Sequence, residues 1–288
     1  MTFGVHHTTR YAYGKPVFLE PHLLRLRPRS DAAQRLVQFD LSVFPEPTGR
    51  AECLDLDGNC VCQLWFDTVT DRLEIRTASV VETIRANPFD FLITPATGLT
   101  LPMRYPATLV PSLRPYLEGP PSVPDDVAKF GTELAQAVAW ETLPFLSTLT
   151  TRLPQRCTVV VREEGDPLPP DVVLAQGQGS CRDLALLFID ACRAVGLAAR
   201  FVSGYQEGDP DQSRRDLHAW AEVYLPGGGW RGYDPTLGLV VGDRHIALAA
   251  GPTFRDASPV TGLFRGTGAT ATLQADITIT VMASPPRT

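Results

Sequence analysis

Cys181, His218 and Asp234 are the side chains whose types and order could carry a nucleophilic reaction: a thiol, then an imidazole, then a carboxylate. A thiol attacks well once a base takes its proton and an acid orients that base, so the set suits acyl transfer through a thioester. Cys181 lies in Gly177-Gln178-Gly179-Ser180-Cys181-Arg182-Asp183. Ser180 followed by Asp183 is a capping pair, which puts Cys181 at the first position of a helix. Backbone N–H groups and the positive end of the helix dipole then converge on the sulfur and favour its anionic form. Gly177 and Gly179 remove side chains from the approach. Most free cysteines are small core residues, and Cys192, among Ile189, Ala191 and Val195 on the same helix, fits that description. Cys181 does not.

His218 begins the run His218-Ala219-Trp220-Ala221-Glu222-Val223-Tyr224, whose alternation puts His218, Trp220, Glu222 and Tyr224 on one face of a strand. Pro226-Gly227-Gly228-Gly229 turns this strand into the next, which ends at Asp234. Hairpin counting leaves the register open, because a bulge would shift it, so contact between His218 and Asp234 is an expectation. In this scheme Cys181 attacks a carbonyl carbon and His218 accepts the thiol proton, returning it later to the leaving amine. Asp234 holds the imidazole tautomer. The N–H of Cys181 is one oxyanion donor, and Gln176 and Gln178 are candidates for a second. No metal and no organic cofactor is expected: Cys53, Cys60, Cys62, Cys157 and the five histidines lack clustered ligand spacing.

These residues need elements to hold them. Leu184, Leu187, Phe188, Ala191 and Val195 form the buried stripe of the helix begun at Cys181, and Gly196 sits where a C-cap glycine belongs. The first third reads as short strands over 3–10, 22–27, 36–44, 60–66 and 73–84, the pattern of an antiparallel sandwich. Between 86 and 124 prolines recur too densely for helices or central strands, so this stretch reads as a surface connector. Helical periodicity resumes at Asp125 with Val127, Phe130, Leu134, Ala137 and Val138. A strand is expected over 158–162, an acidic loop over 163–170, and strands over 198–205, 217–225 and 229–233. Strict alternation of Leu273, Ala275, Ile277, Ile279 and Val281 marks a last one. The expected class is α+β. An N-terminal β-sandwich spans 1–110, a catalytic domain 111–250 and a tail 251–288, whose strand at 270–283 could extend either domain and is expected to return to the sandwich.

The 288 residues carry 44% hydrophobic and 20% charged side chains, ordinary for a globular protein. A net charge of -6 argues against nucleic-acid and anionic-membrane partners. The one basic cluster, Arg25, Arg27 and Arg29, alternates with apolar residues like the outward face of a strand. The start of the chain lacks the basic and apolar regions of a signal peptide, and no apolar run approaches the roughly 20 residues of a membrane span. Cytoplasm is therefore expected, and the six scattered cysteines suit reduced thiols. Asp55, Asp57, Gly58 and Asn59 read as a hairpin turn, since Gly58 is misplaced for a calcium loop and no glutamate closes it.

The segments 178–183, 200–205, 217–225 and 229–236 resemble, in order, the signatures of the bacterial transglutaminase-like family of the papain-like cysteine-protease superfamily. The stretch from Tyr11 to Arg29 is similar to the β-rich region that precedes this domain in bacteria. The resemblance implies a transglutaminase-like α+β domain and carries the family's cysteine, histidine and aspartate onto Cys181, His218 and Asp234. It also makes Gly242-Asp243-Arg244-His245-Ile246 a cleft-lining element, which adds His245 to the substrate candidates; Trp220 is a further candidate, its bland alternative being a core pair with His218. Members crosslink glutamine to amines, hydrolyse amides or have lost activity, and fold alone does not choose among them. A peptide or protein amide is the expected substrate. The competing function is a catalytically silent peptide-binding or scaffolding protein.

Overall fold

Alternation in the first third folds as β1 (Thr2–Leu19), β2 (His22–Leu24), β3 (Gln34–Phe44), β4 (Gly49–Leu54), β5 (Cys60–Trp65) and β6 (Val69–Thr83). The computed structural model describes residues 1–119, 122–162, 165–208 and 215–282. Phe3, Val5, Val17 and Leu19 of β1 turn inward and pack with Leu24, Leu64, Leu73, Ile75 and Val81. Each such side chain contributes about 1.5–3 kcal/mol when fully buried. β4 and β5 join through the turn at Gly58, whose φ of 75° suits glycine. Asp55 accepts the N–H groups of Asp57 and Asn59 there, so donors already fill the carboxylate that a calcium loop would need. Arg29 lies beyond β2 and reaches inward to Asp57 and Asn59, not outward from a strand as its alternation suggested.

The second part contains α1 (Val110–Glu118), α2 (Asp125–Ala137), α3 (Thr142–Arg156), β7 (Thr158–Val159), α4 (Pro170–Gln176), β8 (Gln178–Gly179) and α5 (Cys181–Ala194). Then follow β9 (Ala199–Gln206), β10 (His218–Leu225), β11 (Gly229–Asp234), β12 (Leu239–Val240) and β13 (His245–Gly251). The last five form an antiparallel sheet in the order β12-β11-β10-β9-β13. α5 lies across β9 and β10 through Leu184, Leu187 and Phe188, all at 0% exposure. Gly196 ends it in the left-handed region at φ 78°.

Two expectations need correcting. The proline-rich connector contains α1, with Pro111 in the first turn and Pro115 inside. Pro111 costs nothing there because first-turn N–H groups have no helical partner, and this short helix tolerates Pro115 on a largely exposed surface. The structure also adds α3 and α4, for which the expected elements have no counterpart. α3 carries a helical stripe of Phe145, Leu146, Leu149 and Leu153, and its Pro144 falls in the first turn. The acidic start of the expected loop, Glu163 and Glu164, lies outside the described residues, as do Pro120, Pro121 and position 283.

Beyond β13 the chain goes back to the sandwich as β14 (Val260–Thr261), β15 (Phe264–Arg265) and β16 (Ala271–Met282). β14 pairs with β2, and β15 and β16 pair with β1, the latter from Thr2↔Met282 to Tyr13↔Ala271. The sandwich also closes the outer edge of β13. Asn59 exchanges two 2.8 Å bonds with the backbone of Ala250, and Gln34 exchanges bonds of 2.7 and 2.9 Å with Ala247. Side-chain amides thus satisfy edge groups that a third strand would otherwise take.

Candidate active site

α5 starts where it does because Asp183 gathers its N-terminus. One carboxylate oxygen accepts the Ser180 N–H and hydroxyl, each at 2.8 Å. The other accepts Arg162 Nη2 at 2.6 Å and the Leu168 N–H at 2.7 Å, tying down the segment after β7. Gly177 reverses the chain between α4 and β8 at φ 63°, which a residue with a Cβ adopts only under strain. Cys181 follows as the first residue of α5, half-buried, with an N–H that helix geometry leaves without an intrahelical acceptor.

The register of β10 and β11 settles how the imidazole and carboxylate meet. Ala221 faces Tyr233, so Asp234 falls opposite Trp220 and lies diagonally across from His218 on the same face. His218 Nε2 is 2.7 Å from Asp234 Oδ2, and the imidazole is also hydrogen-bonded to Cys181. Sulfur, imidazole and carboxylate therefore form one connected line. Asp234 is at 0% exposure, and its Oδ1 accepts the N–H groups of Thr236 and Leu237 at 2.9 and 3.1 Å.

Burial alone would pull the His218 pKa down, but the hydrogen bonds and charges of Asp234 and Cys181 outweigh it and push the value up to about 10. Burial alone would raise the Asp234 carboxyl. Hydrogen bonds from His218 and His245 outweigh that and hold it well below the usual carboxylate range. The site is thus biased toward an imidazolium flanked by a carboxylate and a sulfur.

A cleft of about 550 Å³ opens over Cys181 and His218. Core-domain residues such as Arg162, Arg182 and Phe254 line it, and so do Tyr11 and Leu273 from the sandwich. Gln176 and Gln178 are exposed and stand outside this lining, as do Trp220 and His245. Trp220 is 1% exposed and packs beneath the site, where Gly204 makes room: a Cβ there would stand 2.5 Å from the indole. His245 lies behind Asp234, with Nε2 3.1 Å from the oxygen that His218 uses. His218, Asp234 and His245 each offer a ligand atom within 4.8 Å of the others. The 2.7 and 3.1 Å spacings are those of N–H···O bonds, and a cation would have to strip both protons.

The sequence showed Asp183 as a capping partner but hid its bonds to Arg162 and Leu168, which only the folded loop supplies. Gly204 lies in one of the segments that resemble the family, but nothing along the chain gives its physical reason, which arises from an indole on the neighbouring strand.

Comparison with known proteins accords with this geometry. Residues 3–82 match the family described as Bacterial transglutaminase-like N-terminal region, and residues 145–235 match the Transglutaminase-like superfamily. The chain belongs to the transglutaminase-like superfamily. Similar members include an uncharacterized protein from Mycobacterium tuberculosis, 29% identical over 277 residues, 91% of this chain and 87% of that protein. A protein-glutamine gamma-glutamyltransferase from Pseudomonas aeruginosa is 34% identical over 73 residues, 23% of this chain and 11% of that protein. Among solved structures, a candidate cysteine protease from Cytophaga hutchinsonii superposes with a TM-score of 0.71 at 19% identity, covering 99% of this chain and 93% of that one. That likeness is one of fold. It places this transglutaminase-like chain in a cysteine-protease-like architecture that includes the sandwich.

Proposed function

We propose that the protein is a cysteine-dependent acyl-transfer enzyme acting on a peptide or protein amide. The observation that carries this reading is the line of bonds from Cys181 through His218 to Asp234, with its sulfur end at the floor of an open cleft. The Cys181 sulfur attacks the amide carbonyl, and the developing oxyanion is met by the N–H of Cys181 at the start of α5. The C–N bond breaks, the His218 proton goes to the departing amine, and a thioester remains on Cys181. An amine or water then attacks the thioester and gives its proton to His218, and the thiolate leaves. Asp234 stays ionised throughout and holds the imidazole in its Nε2–H form.

An amine acceptor makes this a transglutaminase and water makes it a peptidase or amidase. The scatter of six cysteines along the sequence suits reduced thiols, and on that ground the cytoplasm is the compartment proposed.

The test incubates the purified protein with a glutamine-containing peptide and a fluorescent amine, in parallel with a panel of peptide amides. Labelling or cleavage that disappears in Cys181→Ala is the expected result. The reading is overturned if neither reaction occurs and Cys181 meets iodoacetamide no faster than a free thiol, the outcome a silent scaffold would give.

A further inference from the structure

We propose that His245 is a positioning residue of this site: a donor whose Nε2–H holds Asp234 Oδ2 in line with His218 from outside the cleft. The inference rests on the reading that His218 and Asp234 serve Cys181. Asp234 Oδ1 is held locally by two backbone N–H groups from the turn that follows it. Oδ2 has no local donor. His218 reaches it at 2.7 Å and His245 at 3.1 Å, and because a carboxylate only accepts, both Nε2 atoms carry the proton. Without His245, the oxygen that orients His218 would have His218 as its one donor.

A second observation points the same way. His245 Nδ1 is buried and has no hydrogen-bond partner among the described residues. A buried ring nitrogen with no protein partner is unfavourable, and a phenyl ring could pack edge-on to Trp220 there without it. What imidazole offers over phenyl at this place is the single donor aimed at Asp234. That donor is rigidly carried. His245 opens β13, whose outer edge is clamped by Gln34 and Asn59, and Asp243 just before it accepts from Thr83. The sandwich thereby reaches the reaction site through one imidazole.

The experiment follows iodoacetamide inactivation of Cys181 near neutral pH in the full-length wild type, His218→Ala, His245→Phe and His245→Gln. Loss of one hydrogen bond to a buried charge should slow His245→Phe about ten- to hundredfold. His245→Gln keeps an amide N–H near the Nε2 position and should recover to within about threefold of wild type, which a packing role alone would not produce. Should His245→Phe fail to fold, histidine-labelled nitrogen NMR of the wild type decides, with His245 expected as the Nε2–H tautomer. The proposal falls if that ring is the Nδ1–H tautomer, if His245→Phe reacts like wild type, or if folded His245→Gln is as slow as His245→Phe. A wild type no faster than a free thiol, or one indifferent to His218→Ala, would instead sink the underlying enzyme reading.

Discussion

The two sides of His218 could hardly differ more. Toward the cleft, Cys181 is half-buried, with one side against the hydrophobic core and the other open to a cleft that Arg162 and Arg182 also line. Away from it, Asp234 is at 0% and Trp220 at 1% exposure, in a dry layer under the sheet. A lone carboxylate buried so deeply would be protonated or destabilising, but Asp234 has four donors to offset its lost hydration. The lesson is a division of labour. The wet side supplies access for a substrate, and the dry side fixes charge and orientation at low dielectric.

If that division holds, changes on the wet side cost rate alone, whereas changes on the dry side cost rate and stability together. Cys181→Ala is the largest expected effect: acyl transfer falls by at least about a thousandfold with the melting temperature unchanged. A marked drop in melting temperature would mean that Cys181 is a packing residue. Asp234→Asn comes next. The amide puts N–H groups where donors already point, so activity should fall about 10²- to 10⁴-fold and stability by roughly 3–5 kcal/mol, read by denaturant titration. Loss of activity at full stability would show that the dry side is less strict than its burial implies.

The pH response sharpens the contrast. His218 is raised from 6.5 to about 10 in the fold, so its stabilising contribution is complete below about pH 6.5 and disappears as pH climbs through 10. Acyl transfer, which needs the imidazolium proton for the leaving amine, should fall across the same upper range. Melting curves of wild type and His218→Gln between pH 6 and 10.5 test the stability part, since the variant should lack that slope. The smallest effect is expected at the seam with the sandwich. Asn59→Ala leaves two backbone groups of Ala250 unsatisfied and should cost about 1–3 kcal/mol, with activity nearly intact. A large loss of activity there would mean that β13 moves when its clamp is released.

Much of this arrangement could be read along the chain because it is local. Ser180, Asp183 and the stripe from Leu184 to Val195 announce α5, and Cys181 takes the first position of that helix. The alternation from Leu273 to Val281 announces a strand, and β16 follows it. What local pattern does not carry is either obscured by proline or made by distant partners. α1 holds two prolines yet is a helix, because Pro111 sits where no N–H is needed and much of the surface is exposed. Trp220 and His245, expected in the cleft, lie beneath and behind it, because a strand's parity tells which residues share a face but not which face meets solvent.

Residue types and their local spacing dictate the chemical inventory and the elements that carry it, since caps, periodicity and turns depend on residues a few positions apart. Tertiary structure alone decided that Asp234 meets His218 diagonally, that His245 shares its oxygen, and that the sandwich holds the strand from which His245 comes. Those contacts depend on strand register and on packing between distant segments, and neither is written in any local pattern.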